Sequence, residues 1–497
     1  MEIPNDRPPL LPFGMLVLVL VLAALDQTIL STALPVMARE LPGRWPLAWV
    51  FSTYLLAATV VIALYGRLAD LLGSKPMLLA AIGLFLAGSL ACGASRDLPQ
   101  LVLARALQGA GGGGLMTLTM LTMVDLFPPE QRGRYQALLG AAYGVSTMFG
   151  PLVGGALVEH LSWRWAFWMN VPPALLAWGV LAQTLPSGPA SEDPPPGRVA
   201  IDWLGAALLA GALSSLLLAT QHGNLNLPER LSLWLLLVLG AKLTLAFLWR
   251  QRRAAHPLLP LSLFARPAYA AASFIGLAMG VALYAAVVFL PQYLQAGLHL
   301  SPTASAWHLL PLMAGVTAAA VASGRLLRAR MRVAVLARAA CALMLLSFGL
   351  LVAVLHWLPG TPMALSAGLL PLGLGLGLLF PVVTVVAQRV SPAQHMGIAT
   401  AAPVMLRSLG GACGVALLAA LLARLVKDEL APLHALAGAA GAGRMTASTV
   451  PAAVAQAIAS ALAHGLQPVF ACTAAAALLA LLACRWLPQQ QARALPS

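Results

Sequence analysis

Hydrophobic positions in this chain neither alternate nor recur every third or fourth residue; they run on. No polar side chain occurs between Val17 and Leu25, and similar runs return along the whole sequence. Runs of about 18–27 residues are long enough to cross about 30 Å of hydrocarbon as helices, which satisfy their backbone polar groups internally. Membrane barrel strands would instead show short alternating segments. The pattern predicts helices at about Pro12–Met37, Trp45–Tyr65, Pro76–Ser95, Leu98–Met123, Arg134–Val158, Trp163–Thr184 and Asp202–Thr220. It predicts further helices at Arg230–Trp249, Pro267–Pro291, Thr303–Ser323, Val333–Leu355, Pro362–Ala387, Gly397–Ala423 and Gln467–Trp486, about fourteen in all. The first run is too long for a signal-peptide core, carries Asp26 and lacks a convincing cleavage site, so it reads as a retained helix.

Composition strengthens this reading. Hydrophobic residues make up 60% of the chain and charged ones 9%, against about 25% charged in soluble domains. The net charge of +14 could suggest a nucleic-acid partner. Its placement argues otherwise: Arg250, Arg252 and Arg253, and then Arg325, Arg328, Arg330 and Arg332, fall on the same set of alternate loops. With a cytoplasmic N-terminus those loops are cytoplasmic, as the positive-inside rule requires. The charge is a topology signal. The five cysteines lie in apolar runs without C-x-x-C spacing and read as small buried hydrophobes.

The fold class is therefore an all-α integral membrane protein, with both termini cytoplasmic. A Pro-rich stretch, PSGPASEDPPPGR (Pro186–Arg198), breaks the helical pattern after the sixth helix. The chain divides into a six-helix bundle over 1–185, a linker and inserted helix pair over 186–266, and a second six-helix bundle over 267–497. A long Ala/Gly-rich extracytoplasmic loop over 424–466 belongs to the last part. A faint repeat supports the division: GRLADLLGSK (Gly66–Lys75) follows the second helix of the first block, and GRLLRARMR (Gly324–Arg332) the second helix of the last. Parallel six-helix repeats with a site between them at the bilayer midplane are a transporter architecture.

Few charges stand at membrane depth. A carboxylate there costs roughly 2.5–3.5 kcal/mol on insertion scales and usually faces a bundle interior or cavity. Asp26 and Arg105 lie at roughly similar depths, about 15 and 10 Å from the outer ends of the first and fourth helices, at about 1.5 Å per residue. An Asp26–Arg105 interaction, direct or through Gln108 or water, is sterically credible. It reads either as a working charge pair or as a permanent structural one. Lys242 can snorkel to the nearer face. Arg407 is too deep for that; contact with backbone carbonyls and anion binding both fit it. In GRLADLLGSK, Gly66 and Gly73 permit close approach or positive φ, while Asp70 and Lys75 place charges at helix ends. Gly144, Gly150, Gly154 and Gly155 in GVSTMFGPLVGG form a small-residue face for tight packing, and Pro151 removes a backbone donor.

These motifs together carry a resemblance. GRLADLLGSK closely resembles the loop signature of the major facilitator superfamily, with Ser74 where a basic residue is usual. The resemblance implies that Gly66, Asp70, Gly73 and Lys75 form a cytoplasmic gating loop, with Asp70 paired to Arg134 or Arg132. LVLARALQGAGGGG (Leu101–Gly114) resembles the family's fourth-helix Arg-x-x-Gln-Gly signature, which implies a part in proton transfer for Arg105 and Gln108, beside Asp26. The Gly150–Pro151 pair followed by Gly154–Gly155 resembles the fifth-helix antiporter signature of exporters. LDQTILSTALP, WRWAFWMNVP, YLQAGLHLSPTASAWHLLP and RSLGGACGVAL, the last beginning at Arg407, resemble the fourteen-helix drug:proton antiporter family in particular.

The resemblance implies a proton-coupled exporter of small amphipathic organic compounds in a bacterial cytoplasmic membrane. Multidrug efflux and export of one metabolite or siderophore share that mechanism. A passive channel would not need a carboxylate that changes charge. A membrane enzyme would show Asp-rich magnesium motifs or facing haem histidines, and neither is present in the sequence. A P-loop needs Gly before its Lys. The three lysines, Lys75, Lys242 and Lys427, follow Ser74, Ala241 and Val426. No cofactor is expected, and the proton gradient is the energy source. The partners are protons, the lipid bilayer and substrate, not nucleic acid; a periplasmic adaptor with an outer-membrane channel is a further option, and otherwise the chain acts as a monomer. An alkaline phosphatase fused after Ser497 is expected to be inactive in cells; periplasmic activity would overturn the even helix count.

Overall fold

The computed structural model describes residues 9–41, 48–186, 202–219, 229–254, 257–259, 261–328, 331–392, 396–439 and 452–488, and among these every regular element is helical. The first unit comprises six longer helices and one short one: α1 (Leu10–Glu40), α2 (Ala48–Leu72), α3 (Ser74–Ala94), α4 (Leu98–Leu126), α5 (Pro129–His160), the short α6 (Trp165–Trp168) and α7 (Val171–Thr184). A helix pair, α8 (Trp203–Ala219) and α9 (Glu229–Arg253), comes next. The second unit runs through α10 (Leu261–Phe264), α11 (Pro267–Gln292), α12 (Pro302–Trp307), α13 (Leu310–Arg328), α14 (Val333–Trp357), α15 (Pro362–Arg389), α16 (Met396–Ala439) and α17 (Ala452–Ala483).

Eleven helices among the described residues are long and apolar enough to cross a membrane. The expected segments outside that set are α4, α5 and α8. The first carries a glycine run and several threonines, the second opens with PEQRGRYQ, and the third is short. The Ala/Gly-rich stretch at 424–466 is helical where it is described: α16 continues to Ala439 and α17 begins at Ala452. Its Ala and Leu content explains this, because both favour helix wherever no breaker intervenes. The linker at 187–201 lies outside the described residues.

Close backbone approach holds each unit together, and the two units do it alike. In α4, a Cβ on Gly109 would lie 2.4 Å from the Tyr54 carbonyl oxygen of α2, and one on Gly113 2.2 Å from that of Ala58. In α15, a Cβ on Gly373 would lie 2.0 Å from the Leu312 carbonyl oxygen of α13, and one on Gly377 2.3 Å from that of Val316. Each case sets two glycines, four residues apart, on two carbonyls four residues apart. This is the small-xxx-small packing that membrane helices use where no hydrophobic drive separates helix from lipid. Between the units, α5 packs on α13 and α15, and α2 on α16. The α8–α9 pair packs on itself and against α2, pinned by Asp202, which accepts from Arg250 Nε at 3.1 Å and Gln251 Nε2 at 3.0 Å.

The overlap at Gly113 makes Gly113→Leu a severe test of this packing. Overpacking of about 1–3 kcal/mol should lower the melting midpoint of the purified protein and reduce its monodisperse fraction. Gly179→Leu, where nothing lies within 4 Å of an added Cβ, should leave both unchanged.

Candidate functional site

Five helices of the first unit converge on Asp26. The carboxylate is 3% exposed and Arg105 is fully buried, so both charges lie away from bulk solvent. Arg105 Nη1 donates to Asp26 Oδ2 at 2.8 Å, and Gln108 Nε2 donates to Oδ1 at 2.7 Å. Asn170, just before α7, adds a third donor to Oδ1 at 3.2 Å. Gln108 is held from both sides: its carbonyl accepts from Arg105 at 2.6 Å, and its amide also donates to Ser89 Oγ of α3 at 2.9 Å. Arg105 Nε donates to the Val50 carbonyl of α2 at 3.2 Å, and the guanidinium carbon stands 4.1 Å from the Tyr54 ring centroid. The structure thus brings Asp26, Arg105 and Gln108 together and joins them directly. Sequence reasoning missed Asn170 and Ser89; a lone amide in the aromatic run WAFWMNVP was the available signal for Asn170.

The ring of donors is nearly closed. Arg105 Nη2 and Asn170 Oδ1 are buried without a hydrogen-bond partner among the described residues. Removing either member of the pair would leave the other buried without its counter-charge.

The loop motif takes a different form from that expected. Gly73 has φ 91° and caps α3, and Lys75 Nζ donates to the Leu185 carbonyl at 2.7 Å. Gly66 allows α2 to touch α16, where an added Cβ would lie 2.6 Å from Ala401 Cβ. Asp70 does not meet Arg134 or Arg132. Its carboxylate instead accepts from the backbone amides of Gly397 at 2.5 Å and Ile398 at 3.2 Å, in the first turn of α16. Arg134 is exposed beside the Tyr135 ring, and Arg132 donates to the Phe127 and Val124 carbonyls at the end of α4. The physical reason is the helix end. Its unsatisfied N–H groups and positive dipole hold a carboxylate better than a solvated arginine does. At the same end, Gln136 of α5 donates to Gln388 of α15 at 3.0 Å, so two contacts tie the units there.

Helix α5 sits between the units. A Cβ on Gly144 would lie 2.7 Å from Val316 of α13, and one on Gly150 1.8 Å from Thr28 of α1, two residues beyond Asp26. Gly154 is buried on the same helix, while the side-chain surroundings of Pro151 and Gly155 lie outside the described residues. Arg407 of α16 reaches into the contact between units, with Nη2 2.7 Å from the Met116 sulfur of α4. Its guanidinium carbon is 4.7 Å from the Phe380 ring centroid and 6.0 Å from that of Tyr143.

Comparison with known proteins agrees with this architecture. The family model described as Major Facilitator Superfamily matches residues 16–415. An uncharacterized MFS-type transporter of Mycobacterium tuberculosis is 36% identical over 421 residues, covering 84% of this chain and 60% of that protein. The chain thus spans about 60% of the length of this relative. The multidrug transporter protein MdtP of Bacillus subtilis is 28% identical over 425 residues, 84% of this chain and 76% of that one. The structure of the human organic anion transporter MFSD10 superposes with a TM-score of 0.65 at 15% identity, over 96% of this chain and 100% of that chain, a likeness of fold alone. With paired six-helix units, glycine-packed interiors and a family match over most of its length, this chain belongs to the Major Facilitator Superfamily.

Proposed function

We propose that the chain is a proton-coupled exporter of amphipathic organic compounds, working by alternating access as a member of the fourteen-helix drug:proton antiporter branch. In this reading α4, α5 and α8 also span the bilayer and bring the eleven apolar helices to fourteen. The protein lies in a bacterial cytoplasmic membrane, and the end bearing Asp70 faces the cytoplasm. The proton gradient is the only energy source. Each charge crossing supplies about 2.3 kcal/mol per 100 mV and each pH unit about 1.4 kcal/mol per proton. One or two protons then sustain substrate ratios of roughly ten to a thousand.

The observation that carries this reading is the sealed carboxylate. Asp26 is buried among Arg105, Gln108 and Asn170, with spare polar atoms on the same side chains. A purely structural pair would be at its best fully satisfied. Here protonation of Asp26 and its pairing with Arg105 exclude one another, which makes Asp26 a two-state element. Movement of α1 reaches the second unit through the Thr28–Gly150 contact and then α5 against α13. With the units tied by Asp70 and Gln136, the described conformation is closed at the cytoplasmic end. Similarity to MdtP supports organic-compound efflux, and the glycine-rich α5 supports the outward direction.

Transport of dyes in proteoliposomes under an imposed pH gradient tests the coupling. Asp26→Asn is expected to abolish gradient-driven transport while the protein still purifies as a folded species, and Asp26→Glu to retain part of it. Gradient-driven transport that survives in Asp26→Asn would make the pair structural. Arg105→Ala should cost stability as well, about 3–5 kcal/mol, because it strands a buried carboxylate.

Asp70 generates a separate expectation. Asp70→Asn sets an NH2 group against the α16 amides and removes the charge at that helix end, a loss of about 0.5–2 kcal/mol. Turnover should fall severalfold with substrate affinity nearly unchanged, and Arg134→Ala should have the smaller effect. The opposite ranking in initial transport rates would return Arg134 to the latch.

A further inference from the structure

Four charged residues are buried among the described residues: Asp26, Arg105, Asp202 and Arg407. Asp26 and Arg105 neutralise each other, and Asp202 is paired with Arg250. Arg407 is 9% exposed and has no carboxylate within ion-pair distance among the described residues. No backbone carbonyl among them accepts from its guanidinium either. Its one hydrogen bond among the described residues runs to the Met116 thioether, a weak acceptor, and its other neighbours include the rings of Tyr143 and Phe380. Five N–H donors on this cation thus have no anionic partner there.

The backbone fixes the residue in this place. A Cβ on Gly280 of α11 would lie 1.9 Å from the Arg407 carbonyl oxygen, so α11 and α16 cross in close contact at this residue. Arg407 stands eleven residues after Met396 at the start of α16, roughly 16 Å along the helix axis and near mid-membrane. Met116 belongs to the first unit and Phe380 to the second, so the guanidinium bridges the surface along which the units must separate. Leaving a cation unpaired there is unfavourable. A counter-ion supplied from outside relieves that cost, and the aromatic and thioether neighbours accept an apolar body beside it.

We propose that Arg407, with Met116, Tyr143 and Phe380, forms a binding subsite for the anionic group of an amphipathic organic anion, such as an aromatic carboxylate. The carboxylate takes the guanidinium N–H groups now facing sulfur and rings, and the apolar part packs on Tyr143 and Phe380. The proposal deepens the exporter reading by naming the substrate class and rests on that reading for the direction of transport. Binding by itself does not depend on coupling.

The test measures binding of three fluorescent probes with one apolar body to the purified full chain by fluorescence anisotropy. They are pyrene-1-butyrate, its methyl ester and pyrene-1-butyltrimethylammonium. Wild type is expected to bind the carboxylate at least tenfold more tightly than the ester or the cation. Arg407→Lys should keep a reduced preference, and Arg407→Met should bring the three probes within about threefold of each other. Because removal of a buried charge can change folding, a second variant supplies the counter-ion internally. Met116→Glu places a carboxylate beside the guanidinium, and should raise the melting midpoint while removing the preference for the anion. Equal binding of the probes by wild type, or an anion preference that survives in either Arg407→Met or Met116→Glu, overturns the proposal. An anion preference without pH-driven transport would instead overturn the exporter reading and leave the subsite standing.

Discussion

A charge inside a membrane bundle must bring its own solvent, and the first unit is arranged around that requirement. Asp26 and Arg105 are buried, so Gln108, Asn170, Ser89 and the Val50 carbonyl supply the polar surroundings that bulk solvent would give. Each of these groups comes from a different part of the unit. Its helices are therefore held to one another through the pair, and any change in charge at Asp26 is felt by all of them.

Such a shell can form only if the helices stand close enough. Gly109 and Gly113 let α4 rest on the carbonyls of α2, and Gly88 lets α3 meet the backbone of α4 at Gln108. The same device in the second unit, Gly373 and Gly377 on Leu312 and Val316, packs α15 on α13. The second unit has the corresponding packing without a corresponding acid. Its buried charge is Arg407, standing among sulfur and aromatic rings. The two units thus share a frame and differ in the charge that the frame holds.

Contact between the units is mixed. Helix α5 packs on α13 and α2 on α16, with Gly144 and Gly66 at the crossings, and at one end a single carboxylate and a pair of glutamines also cross the boundary. Such polar contacts are suited to being made and lost as the units rock, whereas the glycine crossings within each unit are suited to moving rigidly.

Apolar runs specified helices without reference to anything distant, because insertion depends on local length and hydropathy; the segments around α1, α3, α11, α14 and α15 were legible for that reason. Depth along a helix is also local, and it placed Asp26 within reach of Arg105. Partner choice is not local. Asp70 binds amides 327 and 328 residues away in sequence rather than the Arg134 or Arg132 that the resemblance implies, because a helix end cannot be seen until the units are assembled. Asn170 joined the Asp26 network only when α7 packed against α1, and no spacing rule links positions 144 residues apart. Arg407 was readable as a deep charge, but its lack of a counter-ion is a property of everything that surrounds it. The sequence by itself determined helices, their crossing glycines and the membrane as solvent; tertiary structure decided which charges would be paired, because pairing in low dielectric depends on a few ångströms that only packing sets.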